Sequence, residues 1–282
     1  MYADDVQIYR HSTFENLGSA ITAVNVDLSL ICEWSKQYGL KVNPAKSQSI
    51  IIGSPGMISK VDWQNIPSIV YNGVAIPFSA TVKDLGIQID QDLSWSTHIK
   101  ELSKKTFATM HSLRRLRAVL PIPTKVMIAH SLLLSILDYA DASFLNLTED
   151  QINKLERLQN LAIRFIFGLR KYDHVSEFRQ KLKWLPIRRR RDLHVLSLLY
   201  CVLFHLKTPS YLKEKFTFLG VQSDLRSCRA LTLSMPFHRT KFYEHSFTVQ
   251  AIALWNALPI DIRQSKTLCI FKKAVKNHYS LH

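Results

Sequence analysis

Apolar side chains recur at three- and four-residue intervals in the first part of the chain, from Leu17 to Ile31. This spacing is typical of an amphipathic helix, because side chains three or four residues apart share one face. Ser12 or Thr13 can cap the helix, and Gly39 stands where a left-handed residue would end it. We therefore predict one long helix near the amino terminus.

Shorter apolar runs surround that helix, and their alternation and turn residues are typical of β-structure. The Asn72-Gly73 pair predicts a tight hairpin, because both residues tolerate positive φ. The predicted strands are residues 6–9, 49–52 and 84–90, with a hairpin over 70–76.

Beyond Trp95 the pattern becomes almost entirely helical. Helical periodicity predicts helices over residues 97–120, 123–139, 149–167, 175–182, 188–206, 247–258 and 265–279, and a small hairpin pairing 216–219 with 231–234. The change in pattern places a boundary near residue 96. It predicts an α+β first part and a helical second part.

Charge follows the same division. Residues 1–100 carry seven Lys or Arg and nine Asp or Glu, whereas residues 101–282 carry 30 and 13. The net charge of +15 therefore comes from the helical part. A cationic surface of this strength favours a polyanionic partner such as nucleic acid. A basic face that is only solvated is the alternative.

Other compositional features narrow the class of protein. The four cysteines, Cys32, Cys201, Cys228 and Cys269, form no close pair, which indicates no disulfide partner and a reducing compartment. The start of the chain has no apolar signal core, and charged or histidine residues interrupt the apolar stretches at 126–145 and 193–206. We expect an intracellular protein, in the nucleus or the cytoplasm, with no membrane partner.

Two adjacent carboxylates, Asp4 and Asp5, stand directly after Tyr2-Ala3. Carboxylate oxygens are the ligands that Mg²⁺ prefers, and two-metal phosphoryl transfer needs several of them. A tetrapeptide alone is also compatible with a solvated turn. The order of the segments that follow gives it weight.

Taken in order, these segments resemble a reverse transcriptase of the non-LTR retrotransposon type, close to the jockey-like elements. Tyr2-Ala3-Asp4-Asp5 resembles the palm motif that supplies catalytic metal ligands, and Gly39 to Ser47 resembles the palm turn that follows it. Leu85-Gly86 is similar to the primer-grip strand. Later segments continue the likeness: Ile136–Ala140, Leu158–Arg164, Trp184–Ile187 and Leu254–Pro259.

The resemblance implies a fold and a division of the chain. It implies an α+β protein with a truncated polymerase palm over residues 1–96, made of short antiparallel strands plus a helix. A mainly α-helical thumb over 97–192 and a helical C-terminal region over 193–282 would follow. The implied activity is RNA-directed DNA synthesis, with Mg²⁺ as cofactor and an RNA–DNA template–primer as partner.

One departure from the family pattern bears on activity. Polymerase palms of this family use a further aspartate, on a strand that precedes the Tyr-Ala-Asp-Asp turn, and fingers that also precede it. Because only Met1 precedes the motif here, we expect Asp4 and Asp5 alone not to hold both ions, and this chain alone not to polymerise.

Lysines and arginines supply the remaining candidate site residues. The resemblance implies that Lys46 lies near an incoming triphosphate, although an exposed turn lysine is the alternative. A thumb helix would track duplex phosphates with one face. The candidates on and after that helix are Lys104, Lys105, Arg114, Arg115 and Arg117, and the second set is Arg188, Arg189, Arg190 and Arg191.

Two other readings of the basic part stay open. Residues 101–282 would serve as a nucleic-acid-binding module without catalysis, or as a helical interaction or structural unit whose basic face is solvated. The arginine run at 188–191 is also compatible with a nuclear localisation signal.

Overall fold

The computed structural model describes residues 5–219 and 231–281. The chain divides into two compact units, Met1–His98 and Ile99–His282. Helices and two small antiparallel sheets make it a mixed α and β protein, as the periodicity predicted. The assignment of its parts to a palm, a thumb and a C-terminal region stays a prediction.

The first unit holds one long helix and two β-hairpins. Its elements are α1 (Leu17–Gln37), a 3₁₀ turn (Pro44–Lys46), α2 (Pro55–Ile58), β1 (Ile69–Tyr71), β2 (Val74–Ile76), β3 (Thr81–Asp84) and β4 (Ile87–Asp90). α1 lies against β1, and its buried side chains Ile21 and Cys32 join Ile69, Tyr71 and Ile76 in one cluster. The predicted long helix is confirmed.

Both hairpins turn through two residues with positive φ, the geometry that matches the twist of paired strands. Asn72 and Gly73 have φ of 49° and 80°, which confirms the hairpin predicted there. Leu85 and Gly86 have φ of 43° and 89°. The sequence placed Leu85 and Gly86 on a strand over 84–90, and that detail was wrong: they form the turn between β3 and β4.

Two predicted strands are absent from the described residues. Residues 6–9 lie outside any strand, with Val6 56% and Tyr9 81% exposed. In the segment 49–52 only Ser49 makes a bridge, to Phe78. A short apolar run forms a strand only where a neighbouring strand pairs with it through backbone hydrogen bonds. The alternation of apolar and polar residues does not show whether such a strand is present.

The ends of α1 show one correct and one wrong prediction. Gly39 has φ of 66°, and its N–H donates to the Lys36 carbonyl, so the predicted stop is confirmed. The predicted caps are wrong, because the helix begins after Asn16, and Ser12 donates to the Thr13 carbonyl instead.

The second unit is helical. Its elements are α3 (Ser96–Arg114, which begins in the last residues of the first unit), α4 (Ile122–Ile128), a π-helical segment (Ala129–Leu134), α5 (Ser135–Asp138), a 3₁₀ turn (Asp141–Ser143), α6 (Glu149–Phe167), α7 (Ser176–Lys181), α8 (Ile187–Phe204), α9 (Ser210–Lys213), α10 (Lys241–Glu244), α11 (Phe247–Ala257), α12 (Ile260–Arg263) and α13 (Leu268–Leu281). All seven predicted helical segments contain helix. The boundary predicted at 192/193 falls within α8.

The core of this unit lies between α8, α11 and α13. Trp255 and Phe271 are fully buried there, with ring centroids 5.7 Å apart. Asn256 pairs with the backbone of Leu233 in both directions, at 2.9 Å each way. Phe218 and Leu233 form a single antiparallel bridge where a small hairpin was predicted.

One helical segment of the described chain, Ile122–Ser143, is long and apolar enough to cross a membrane by length and composition. His130, Asp138 and Asp141 interrupt its apolar residues, so no membrane span is expected from the overlapping stretch 126–145. A single such helix is weak support for a span, because helices of folded domains pass the same test. Asp138 and Asp141 of this segment contact Arg190 and His194 of α8, so we treat it as packed within the unit.

Candidate nucleic-acid interface

The outer face of α3 carries the first set of predicted basic residues. Ile99, Leu102 and Leu113 are buried on the inner face. The predicted residues Lys104, Lys105, Arg114 and Arg115 are exposed. Lys104 and Lys105 lie on α3 and Arg114 is its last residue, whereas Arg115 lies in the turn that follows.

Phe107 of α3 does not face the core. Its side chain is 54% exposed, whereas the neighbouring Thr106 is fully buried. Successive residues lie about 100° apart around a helix, so Thr106 and Phe107 cannot share a narrow buried stripe. The small Thr106 takes the inward position and donates to the Leu102 carbonyl at 2.8 Å.

Three of these cations have no carboxylate ion pair among the residues that the structure describes. Lys104 pairs with Glu101 at 2.8 Å on the surface. No ion pair within the described part of the chain involves Lys105, Arg114 or Arg115. Exposed cations without a counter-charge are those that a polyanion can neutralise without first breaking an ion pair.

Arg117 has a different place from its neighbours. Its Nη2 donates to the Leu169 carbonyl at 3.0 Å, just past the carboxyl end of α6. α6 ends at Gly168, whose φ of 72° is left-handed, and a Cβ there would lie 3.7 Å from the Arg117 Nη2. Arg117 therefore ties the segment after α3 to the loop after α6. Arg117 was predicted to contact phosphate, and in the structure its guanidinium donates to the Leu169 carbonyl.

The loop at residues 169–174 brings further basic residues to the same place. Arg170, Lys171 and His174 are exposed, and Lys171 and Arg170 have no carboxylate ion pair within the described residues. We call Arg114, Arg115, Arg170 and Lys171 the basic interface. Sequence reasoning missed the last two, although a basic pair directly after a helix-ending Gly168 was a signal for an exposed basic loop.

The arginines at the start of α8 contact other residues of the protein. Arg188 pairs with Glu149 at 2.7 Å. Arg189 lies 3.6 Å from Asp192 and over the Tyr279 ring, 5.0 Å from its centroid. These two side chains still reach solvent.

Arg190 and Arg191 reach deeper. Arg190 forms an ion pair with Asp138. Arg191 is 5% exposed, donates to the carbonyls of Asp141 and Phe144, and stacks on the Phe144 ring. The sequence predicted phosphate contact for the whole run. That expectation is corrected for Arg191, because a buried guanidinium with these partners cannot reach a phosphate.

Three potential metal ligands lie beside these arginines. One ligand atom each of Asp138, Asp141 and His194 lies within 4.8 Å of the others, and His194 Nδ1 is 2.7 Å from Asp141. Burial raises the pKa of Asp138, and the hydrogen bond and charge of Arg190 offset only part of that effect. The guanidinium already supplies the positive charge, so we assign no metal to this cluster.

The predicted catalytic residues lie in the first unit. Asp4 is outside the described residues, and Asp5 is exposed. The segment after Asp5 is held by Gln7, whose Nε2 donates to Asp84 at 2.6 Å beside the Leu85-Gly86 turn. The segment that follows Asp5 therefore lies next to the turn predicted as part of the primer grip.

Lys46 is exposed at the end of the 3₁₀ turn. Asn43 shapes that turn by accepting from the Ala45 N–H at 3.0 Å. No hydrogen bond or ion pair within the described chain joins Lys46 to Asp5. The proposed role of Lys46 near a triphosphate stays a prediction.

Asp90, at the end of β4, orders the approach to α3, and sequence reasoning missed it. It is buried and accepts from Thr81 Oγ1 at 2.9 Å, and from Ser94 Oγ and the Thr97 N–H at 3.2 Å. Burial acts to raise the pKa of Asp90, but the hydrogen bonds from Thr97, Thr81 and Ser94 outweigh it and lower the pKa. Its charged form therefore stabilises the start of the helix.

Comparison with known proteins finds similarity to RNA-directed DNA polymerases of non-LTR retrotransposons. The chain is 24% identical over 185 residues to the RNA-directed DNA polymerase from mobile element jockey of Drosophila melanogaster, and 24% identical over 185 residues to its counterpart in Drosophila funebris. It is 26% identical over 168 residues to the probable RNA-directed DNA polymerase from transposon BS. The predicted resemblance is confirmed.

These matches cover 58–64% of this chain and 18–19% of the relatives. The chain thus corresponds to about one fifth of the length of the curated relatives it matches. No family model matches it, and no solved structure matches it.

Proposed function

We propose that this chain is part of a retrotransposon RNA-directed DNA polymerase and that its helical unit binds the RNA–DNA template–primer. The observation that carries the proposal is the basic interface. Four exposed cations lie at one end of α3 and in the adjoining loop, with no carboxylate ion pair within the described residues. Phosphate neutralisation by such cations releases counterions and makes binding strongly salt-dependent.

The geometry supports phosphate contact at this place rather than at the run 188–191. Arg117 fixes the loop after α6 to the segment after α3 through the Leu169 carbonyl. The two segments that carry these cations are thereby tied together, which lowers the ordering entropy that a ligand must overcome. Arg188 and Arg189, in contrast, lie beside Glu149 and Asp192, whose negative charges lower the net positive charge that a phosphate would meet.

We further propose that this chain alone does not extend a primer. Two-metal phosphoryl transfer needs several carboxylates around both ions. Asp5 is an exposed oxygen ligand of the right chemistry for Mg²⁺, but it belongs to no group of three metal-ligating side chains within the described residues. The residues described here therefore do not fit a complete two-metal site, and we derive no chemical step through the metal. The polymerase as a whole would act in the nucleus or the cytoplasm.

Binding can be tested by titrating the purified chain against a labelled RNA–DNA template–primer at several salt concentrations. We expect the double variant R114E/R115E to bind roughly 10- to 100-fold more weakly at low salt and to show a shallower salt dependence. The matched control K272E/K273E makes the same charge change at exposed lysines of α13, and we expect it to have a much smaller effect. Equal losses for the two variants would mean that only net charge matters and would contradict the proposed interface.

Catalysis is tested in the same samples with Mg²⁺ and nucleotides. We expect binding without primer extension. Extension that D4A abolishes would overturn the proposal of inactivity and leave the proposed interface intact. Absence of binding at low salt would instead favour a structural unit with a solvated basic face.

A further inference from the structure

The loop at residues 169–174 carries an exposed aromatic side chain. Tyr172 is 86% exposed, whereas Tyr200 and Tyr279 of the same unit are buried in the core. The Lys171 ammonium lies over its ring, 5.3 Å from the ring centroid. Exposing a whole tyrosine ring to water leaves apolar area without compensation.

The loop that carries this ring is held at three points. Arg164 donates to the carbonyls of Arg170 and Asp173, both at 3.2 Å. The Asp173 carboxylate accepts from the Arg170 N–H at 2.7 Å, and Arg117 holds the Leu169 carbonyl. These bonds fix the backbone on both sides of Tyr172.

Fixing the backbone has a consequence for binding. A loop with few internal bonds would let the ring fold onto the surface, and a ligand would have to order it. Here two arginines and one aspartate fix the backbone before any ligand arrives, so an incoming planar group has to order only the Tyr172 side chain.

We propose that Tyr172 is a stacking site for an unpaired base of a nucleic-acid strand bound along the basic interface; this rests on the proposed function. Every base has a π-face, and aromatic side chains next to cations are the usual platform for single strands. Arg170 and Lys171 directly precede the ring and supply the positive charge for the flanking phosphates. Bases inside a duplex already stack on their neighbours, so the ligand is a single-stranded segment that adjoins the duplex.

The test uses the full chain and two labelled RNA–DNA duplexes that are identical except for a single-stranded RNA overhang on one. We expect Y172A to weaken binding of the overhang substrate roughly 5- to 100-fold, the range of base–aromatic stacking. Binding of the blunt duplex should stay unchanged, and Y172F should bind both substrates as the wild type does. Y211A is the matched control, because Tyr211 is also exposed, at 63%, on α9.

A second readout reports stacking directly. A 2-aminopurine base in the overhang loses fluorescence when it stacks, so the wild type and Y172F should quench it and Y172A should not. Unchanged overhang affinity and unchanged quenching in Y172A would overturn the stacking site. If R114E/R115E still weakens both duplexes in that case, the proposed function stands and only this inference fails. If R114E/R115E binds both duplexes as the wild type does, the proposed function fails.

Discussion

Two groups of arginines in the helical unit meet different surroundings. The run Arg188–Arg191 opens α8 and meets Glu149, Asp192 and Asp138, and two buried carbonyls. Arg114 and Arg115, at the end of α3, meet no carboxylate in an ion pair within the described chain, and Arg170 across the Arg117 bridge meets none either. The four consecutive arginines at 188–191 therefore include fewer side chains without an internal partner than the more dispersed arginines at 114, 115 and 170.

The difference lies in what the fold places opposite each group. Asp138 is 52 residues from Arg190, and Glu149 is 39 residues from Arg188. The half-buried Arg190 makes a strong charge-assisted hydrogen bond with Asp138. The exposed Arg188 pair is weak, but the Glu149 carboxylate still lowers the net positive charge that a phosphate meets there. Charge density along the chain does not determine whether such a partner is present.

The largest expected effect comes from the most buried arginine. R191L removes the donor to the carbonyls of Asp141 and Phe144, and we expect it to lower the free energy of unfolding by about 3–5 kcal/mol. Urea unfolding followed by circular dichroism measures this loss. R191K keeps the charge but loses the planar fork, and it should fall between wild type and R191L. A stability of R191L within about 0.5 kcal/mol of wild type, the usual range for surface changes, would show that Arg191 is not a core residue.

A smaller effect, dependent on pH, is expected at Asp138. Burial raises the pKa of this carboxyl above its ordinary value, so the folded state holds the proton more tightly than the unfolded state does. The wild type therefore loses stability as pH rises from the ordinary pKa through the raised one. In D138N this contribution is absent. Denaturant midpoints of both proteins between about pH 4 and pH 7 should show the wild type falling relative to D138N. A rise instead would mean that Arg190 outweighs burial.

The smallest effect belongs to Arg188. Its ion pair with Glu149 lies in solvent, with side chains 54% and 75% exposed, and such pairs contribute little. R188A should change the free energy of unfolding by less than about 0.5 kcal/mol and leave template–primer affinity nearly unchanged. E149Q serves as its control. A tenfold loss of template–primer affinity in R188A would show that the run 188–191 contacts nucleic acid and would contradict this prediction.

Signals within a few residues of each helix were sufficient to predict most helices of the fold. α6 shows why: Thr148 and Gln151 form a capping box, acidic residues fill its first turn, and Gly168 ends it in the left-handed conformation. Each signal lies within a few residues of the element it defines. The Asn72-Gly73 hairpin was predictable for the same reason.

Features that depend on distant partners were not predictable. Leu85-Gly86 is an exception, because it is the two-residue turn of the local β3–β4 hairpin, and Gly86 with its positive φ was a nearby turn signal within the predicted strand 84–90. Of the candidate site, the exposed cations of α3 followed from helical spacing. The loop cations and Tyr172 were missed, because the bond that joins their loop to Arg117 spans 52 residues.

The central claim is that nucleic acid contacts the basic interface and not the run 188–191. Arginine modification by phenylglyoxal, with and without bound template–primer and read by mass spectrometry, tests it residue by residue. We predict that Arg114, Arg115 and Arg170 lose reactivity when the duplex is bound, while Arg188 and Arg189 keep theirs. Protection of Arg188 and Arg189, with Arg114 and Arg115 still reactive, would contradict the account.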